Sequence, residues 1–218
     1  MHFLEVEESV MPELISVTKQ SDAAKYLIQK DEVLSSIINR IDILTYELYD
    51  DPYLFLIKTI ISQTLSHKSA VCIFKKLESL CNNTITPHSI GNLKRQDLIA
   101  IGISTSKTDY ILTFTTEIIS GRLNLNRLNK EDDKKIIQTL TNIQGIGTWT
   151  VKIYLLFFLN RPNVLPIEDK TFLRAYQKFY NAPNLTSTLI EANCQKWQPY
   201  MSIAVRYLYY ALNTDIPK

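Results

Sequence analysis

The chain has 218 residues, 45% of them hydrophobic, which is enough for one sizeable core or two small helical subdomains sharing one. Its formal net charge is only +2, so any nucleic-acid contact must come from a local basic face and not from overall charge. Three cysteines (Cys72, Cys81 and Cys194) without a CxxC pair, and three scattered histidines, argue against a disulfide framework, a zinc site or an iron–sulfur cluster.

The first residues, MHFLEVEESVMPEL, carry acids where a signal peptide carries lysines, and residues 1–19 read as a loosely attached arm. Helical spacing of apolar residues then predicts helices over 21–30, 32–41, 52–65, 67–81, 95–101, 106–120, 131–143, 147–159, 169–180, 187–194 and 197–213. Nothing alternates convincingly with period two, and there is no internal repeat or low-complexity linker. The expected class is all-α. Start signals agree: Asp51 precedes Pro52, Ser104 and Ser106 offer caps before Lys107, and Pro166 precedes Glu168 and Asp169. The most apolar run, residues 151–159, is nine residues long and contains Lys152, too short and too charged for a membrane span. An intracellular, membrane-free protein is expected, in the cytoplasm of a prokaryote or the nucleus of a eukaryote.

Two of the five glycines, Gly145 and Gly147, fall in LTNIQGIGTWT (residues 140–150), between two helical runs. A helix opening after such a turn points unpaired N–H groups and the positive end of its dipole outward, a phosphate site. A helix C-cap followed by a close helix crossing fits the same two glycines. Asp169 heads a later helix, where the dipole and free N–H groups favour a carboxylate, and a short loop at residues 160–163 returns the chain toward the hairpin. It reads either as a catalytic acid or as an ordinary acidic N-cap.

These features together resemble the helix-hairpin-helix (HhH-GPD) DNA glycosylases, in particular the alkylbase, 3-methyladenine DNA glycosylase II branch. The hairpin signature is Leu140, Ile143, Gly145, Ile146, Gly147, Trp149 and Thr150, and the family's catalytic aspartate falls on Asp169. FLIKTIISQTLSHKSA (55–70) resembles the family's ILGQQLS-x-KAA, with Gln63, Ser66, Lys68 and Ala70 in place. IGISTSKTDYI (101–111) resembles GLS-xx-K-xx-Y, and KWQPYMSIAVRYLYYAL (196–212) resembles RW-x-PYRS-x-A-x-x-YLW. The likeness covers about residues 20–218. Departures are Thr64 in place of Gln or Leu, Met201 in place of an arginine, and Tyr209 in place of a tryptophan.

The resemblance implies a compact two-subdomain helical fold without the separate N-terminal β domain of some bacterial members. One subdomain is expected over 52–158, carrying the hairpin at 136–158, the other over 20–50 with 159–218, and the active site in the cleft between them. It implies that Gly145, Ile146, Gly147, Thr148 and Thr150 clamp the DNA backbone, a Cβ at the glycines being excluded by the phosphate. Carbonyls of Thr141, Ile143 and Ile146 are expected to hold a monovalent cation, Na+ or K+, with no other cofactor. Gln63, Thr64 and Leu65 form the expected wedge; Trp149, Tyr200, Tyr207 and Tyr209 form the expected base pocket.

The implied reaction is hydrolytic removal of cationic alkylated purines such as 3-methyladenine and 7-methylguanine from duplex DNA, in base excision repair, by a monomer. No general acid accompanies Asp169, which suits a base that leaves already charged. Trp149 stands where strand-cutting members carry a nucleophilic lysine, and Lys152 reads as a snorkelling surface lysine, so no lyase activity is expected. A helix-hairpin-helix DNA-binding protein without catalysis is the alternative.

Overall fold

The computed structural model describes residues 13–214 and 216. In chain order it runs through strand β1 (Leu14–Thr18), helices α1 (Asp22–Lys30) and α2 (Glu32–Arg40), and strand β2 (Ile43–Glu47). Helices α3 (Pro52–Ser62), α4 (His67–Leu80), α5 (Pro87–Gly91), α6 (Arg95–Ala100), α7 (Thr105–Ile119) and α8 (Leu125–Leu128) follow. After α9 (Asp133–Thr141) and α10 (Thr148–Ile153), a π-turn (Tyr154–Phe158) prolongs α10. The chain ends in α11 (Lys170–Phe179), α12 (Ser187–Cys194), a 3-10 turn (Gln195–Trp197) and α13 (Met201–Asn213).

Polar caps set most of these starts. Ser21, Asp31, Asp51, Ser66, Ser104, Asp132, Asp169 and Thr186 each accept a backbone N–H of the first turn that they open. Each such cap contributes about 1 kcal/mol by satisfying a donor that the helix cannot use.

The fold is mostly helical, but not without strands. β1 and β2 form an antiparallel ribbon with Val17 opposite Leu44. Ile15 and Val17 on one strand and Leu44 and Tyr46 on the other turn inward and alternate with polar residues, but over only four residues each, a period-two signal too short to stand out from the helical pattern around it. β1 lies inside the arm expected over 1–19; residues 1–12 of that arm are outside the described residues.

Three long helices differ from the periodicity in a way that matters for the site. The helix expected over 52–65 stops at Ser62, because Thr64 takes a left-handed backbone (φ 60°) and turns the chain into α4. The helix expected over 147–159 widens into the π-turn after Ile153. The one expected over 197–213 divides into the 3-10 turn and α13 around Pro199.

α3 is buried on most of its surface and packs against α4, α7, α8, α10 and the π-turn, whereas α13 packs against α1, α2, α11 and the 3-10 turn. One apolar core joins both groups, with Trp197, Tyr154, Tyr207, Phe114 and Phe172 its largest fully buried side chains. No helix among the described residues is long and apolar enough to cross a membrane.

Candidate active site

The hairpin between α9 and α10 needs its two glycines for different reasons. Gly145 has φ +88°, and a Cβ there would lie 2.2 Å from the Tyr110 ring of α7. Gly147 has open space around it and is the N-cap of α10, with no side chain spent on the first-turn N–H groups. The expectation that a phosphate excludes a Cβ at both positions therefore needs correcting at Gly145, where Tyr110 and the backbone conformation exclude it.

Exposure also divides the expected clamp. Gly147 and Thr148 are exposed, but Ile146 and Thr150 are buried. The Ile146 N–H is already committed to the Ile143 carbonyl at 3.0 Å, and the Thr150 hydroxyl accepts from Gln63 Nε2 at 3.1 Å. Both hold the hairpin's shape and offer no side-chain surface to a ligand. Of the three carbonyls expected to hold a cation, that of Ile143 takes the Ile146 N–H, which leaves it one lone pair. Neutral carbonyl donors on a tight turn fit a singly charged, oxygen-seeking ion. No cluster of three His, Cys, Asp or Glu side chains suited to another metal occurs among the described residues.

Gln63 is half-buried, and its amide nitrogen also donates to the Gly145 carbonyl at 2.9 Å. It ties the α3–α4 turn to the hairpin, so of the three residues expected to form a wedge, Thr64 and Leu65 are exposed and Gln63 is committed elsewhere. From the other side, the Lys107 amine donates to the carbonyls of Ile61 (2.7 Å) and Gln63. Burial lowers the Lys107 pKa. Lys107 and Tyr110 both belong to the segment 101–111 singled out in the sequence, which gives neither a role; they turn out to brace the turn and the hairpin.

Asp169 caps α11 and is 8% exposed. Its Oδ1 accepts from the Phe172 N–H (2.8 Å) and the Tyr209 hydroxyl (2.9 Å), and its Oδ2 from Trp149 Nε1 (2.8 Å). Burial and the neighbouring Asp169 charge push the Tyr209 pKa up, so the phenol keeps its proton and remains a donor. Glu168 turns away and pairs with Lys152 at 2.9 Å.

Trp149 also stands on the wall of an open groove of about 860 Å³. Ile153 and Phe157 continue its side of the groove; Tyr49, Phe55 and Phe74 line it from around α3 and α4. The spacing of Trp149, Ile153 and Phe157 by four residues was visible in the sequence, and the π-turn offsets the drift of about 40° that each such step makes on an α-helix. Phe157 stacks on Tyr209 with ring centroids 5.8 Å apart.

Two residues expected in the base pocket are elsewhere. Tyr207 is fully buried, with its hydroxyl unpartnered and its pKa raised by burial to about 12. It lies two positions from Tyr209, about 200° around α13, so both cannot face Asp169. Tyr200 precedes α13 and packs edge-on against Tyr26 at 5.5 Å.

A family model described as "HhH-GPD superfamily base excision DNA repair protein" matches residues 57–199. The chain is 32% identical over 166 residues to DNA-3-methyladenine glycosylase 1 of Schizosaccharomyces pombe, covering 73% of this chain and 72% of that protein. Its fold is similar to a crystal structure of DNA-3-methyladenine glycosidase from Bacillus halodurans (TM-score 0.81, 27% identity, 92% of this chain and 94% of that one). It is likewise similar to a 3-methyladenine DNA glycosylase of S. pombe in complex with abasic DNA (TM-score 0.79, 26% identity, 91% and 100% covered).

Proposed function

Since the chain belongs to the HhH-GPD superfamily of base excision DNA repair proteins, we propose that it is a monofunctional DNA glycosylase. Its substrates on this reading are cationic alkylated purines such as 3-methyladenine and 7-methylguanine in duplex DNA. The observation that carries the reading is Asp169, a carboxylate held by Tyr209 and by Trp149, the latter a wall residue of an aromatic groove beside the hairpin.

The backbone 3′ of the lesion meets the N–H groups at Gly147 and Thr148, at the positive end of α10. A cation held by the carbonyls of Thr141, Ile143 and Ile146 would add positive charge against the same phosphate. Thr64 and Leu65 enter the stack as the nucleotide turns out, at a cost of a few kcal/mol that is smallest for damaged pairs. The extruded base lies against Trp149 and Phe157, where its positive charge gains about 0.5–2 kcal/mol per aromatic face.

As the glycosidic bond stretches, positive charge moves onto the sugar, and the Asp169 carboxylate stabilises it and orients the attacking water. Tyr209 and Trp149 fix both carboxylate oxygens by donating to them, so little reorganisation accompanies the charge development. No residue needs to protonate the base, because an alkylated purine cation leaves as a neutral molecule. Lys152 is held by Glu168 and Trp149 has no nucleophilic amine, which supports hydrolysis without strand cleavage. The two subdomains on this reading are 52–158, which supplies most of the groove wall, and 20–50 with 159–218, which adds Tyr49 and Asn213 to it and carries Asp169, and the enzyme works inside the cell as a monomer without an iron–sulfur cluster.

An N-cap role alone accounts for the Phe172 contact of Asp169, but not for the Trp149 and Tyr209 donors that converge on it from α10 and α13. The test is chromatography of bases released from methylated duplex DNA, with borohydride present in a parallel reaction. Free 3-methyladenine or 7-methylguanine, an intact strand cleaved only by alkali, and no trapped protein–DNA adduct are expected. Absence of released base would favour the non-catalytic DNA-binding reading, and a trapped adduct would overturn the monofunctional one.

A further inference from the structure

Arg206 of α13 is 5% exposed, and no carboxylate among the described residues pairs with it. A buried cation without a counter-ion is costly, and such groups are rarely kept for stability alone. Its guanidinium lies 3.7 Å from the centre of the Tyr46 ring and 4.9 Å from that of Phe157. One terminal nitrogen donates to the Leu156 carbonyl in the π-turn (2.6 Å) and to Asn160 Oδ1 (3.5 Å), while Nε has no partner. Tyr46 donates to the same Asn160 oxygen at 3.2 Å, and Asn160 holds a left-handed backbone, φ 49°. Burial lowers the Arg206 pKa to about 10, which leaves it charged at neutral pH.

What this cation touches leads to the site. Arg206 and Tyr209 are one turn apart on α13, on one face, and Phe157 contacts both. Phe157 sits in the π-turn whose Leu156 carbonyl Arg206 holds, and Tyr209 donates to Asp169. A shift of the π-turn would move the Phe157 ring, and with it the phenol that sets one oxygen of the acid.

We infer that Arg206 is a positioning residue for the reaction, fixing Phe157 and Tyr209, and through them Asp169, by clamping the π-turn against β2. This rests on the reading of Asp169 as the catalytic acid. Arg206 touches neither the groove nor the carboxylate, so its effect falls on the bond-breaking step and not on DNA affinity.

The test separates those effects by measuring three quantities on Arg206→Met: single-turnover release of 7-methylguanine, affinity for abasic duplex DNA, and the urea midpoint. Replacing an unpaired buried cation by an apolar side chain of similar size leaves stability equal or higher, whereas loss of positioning slows excision by about ten- to a hundredfold. Abasic-DNA affinity stays within about twofold, and Arg206→Lys recovers part of the rate. In a Tyr209→Phe background, which already lacks the phenol bond, Arg206→Met adds less than about twofold.

A wild-type rate in Arg206→Met, or full multiplication of the two losses, overturns the inference. If Arg206→Met does not fold, Tyr46→Leu, which removes the nearest stacking ring, takes its place with the same expectations for rate and abasic-DNA affinity and the same overturning results. Asp169→Asn is run alongside. An active Asp169→Asn overturns the reading of the acid, while an inactive one beside a wild-type-rate Arg206→Met overturns this inference alone.

Discussion

The Trp149 indole donates to Asp169 Oδ2 at 2.8 Å, so a residue on the groove wall also fixes this carboxylate. Any ligand that presses on the indole acts on the carboxylate as well. With Tyr209 on the other oxygen, the acid is oriented from two elements, α10 and α13.

Asp169→Asn should remove this arrangement in a characteristic way. Asparagine still caps α11, but its NH2 would face a donor, Trp149 Nε1 or Tyr209 hydroxyl. Excision is expected to fall by at least about a hundredfold, with a stability loss of about 1–3 kcal/mol from the mismatched donors. Glu168→Gln, which breaks only a partly exposed pair with Lys152, should change excision by less than about threefold. Single-turnover kinetics and urea unfolding on the two variants check this; equal losses would place the acid wrongly.

The two hairpin glycines should separate cleanly. Gly145→Ala meets the Tyr110 ring in a left-handed backbone position and should destabilise the fold by about 2 kcal/mol or more. Gly147→Ala meets nothing inside the protein, so its stability should change by less than about 1 kcal/mol. Its cost should appear in DNA affinity instead, equally for all sequences and with a reduced salt dependence. Thermal melting and titration of duplex DNA at several salt concentrations tell the two apart.

Lys107→Met keeps most of the side chain's length and removes the amine that holds the Ile61 and Gln63 carbonyls behind Thr64 and Leu65, the proposed wedge. Excision from duplex DNA should fall by about tenfold while excision from a single-stranded oligonucleotide, which needs no wedge, changes little. Equal losses on both substrates would mean that Lys107 supports the whole site and not the wedge.

A second carboxylate predicts the acid limb of stability. Asp31 accepts from Trp197 Nε1 (2.8 Å), the Tyr180 hydroxyl (2.7 Å), the Leu34 N–H (3.0 Å) and Lys196 (3.0 Å). Burial works to raise its pKa, but the bonds from Trp197, Tyr180, Leu34 and Lys196 outweigh it, and the net direction is down from 3.8. A depressed folded-state value means that the stabilisation is present above the unfolded value and disappears as pH falls through the folded one, below 3.8. Asp31→Asn should lower stability near neutral pH by about 2 kcal/mol or more and flatten the decline below pH 4. Urea midpoints measured across the acid range decide it; an unchanged slope in the variant would overturn the assignment.

Asp31 and Asp169 also show what the sequence could and could not reveal. Both are N-caps that accept a tryptophan N–H, a tyrosine hydroxyl and a first-turn amide, yet one is also paired with Lys196 and the other is held by a tryptophan that lines a groove. Only Asp169 was legible, because Gly145, Gly147 and Trp149 precede it at a recognisable spacing. The longer helices were legible from apolar periodicity; α5 and α8, of five and four residues, were not, and neither was the ribbon, whose alternation lasts only four residues per strand. Tyr207 and Tyr209 both sit in an apolar run, which hides their opposite faces. The Gln63 tether was invisible for another reason: one of its partners is a backbone carbonyl, which leaves no trace in residue identity.

That tether spans 82 positions of the chain, and the bonds from Trp149 and Tyr209 to Asp169 span 20 and 40. Contacts so distant in sequence carry a loop-closure cost and form late, after the local helices. A nascent or partly unfolded molecule can therefore have most of its helices and still present neither a braced hairpin nor an oriented acid. The geometry around Asp169 is thus complete only when α10, α11 and α13 have all come together.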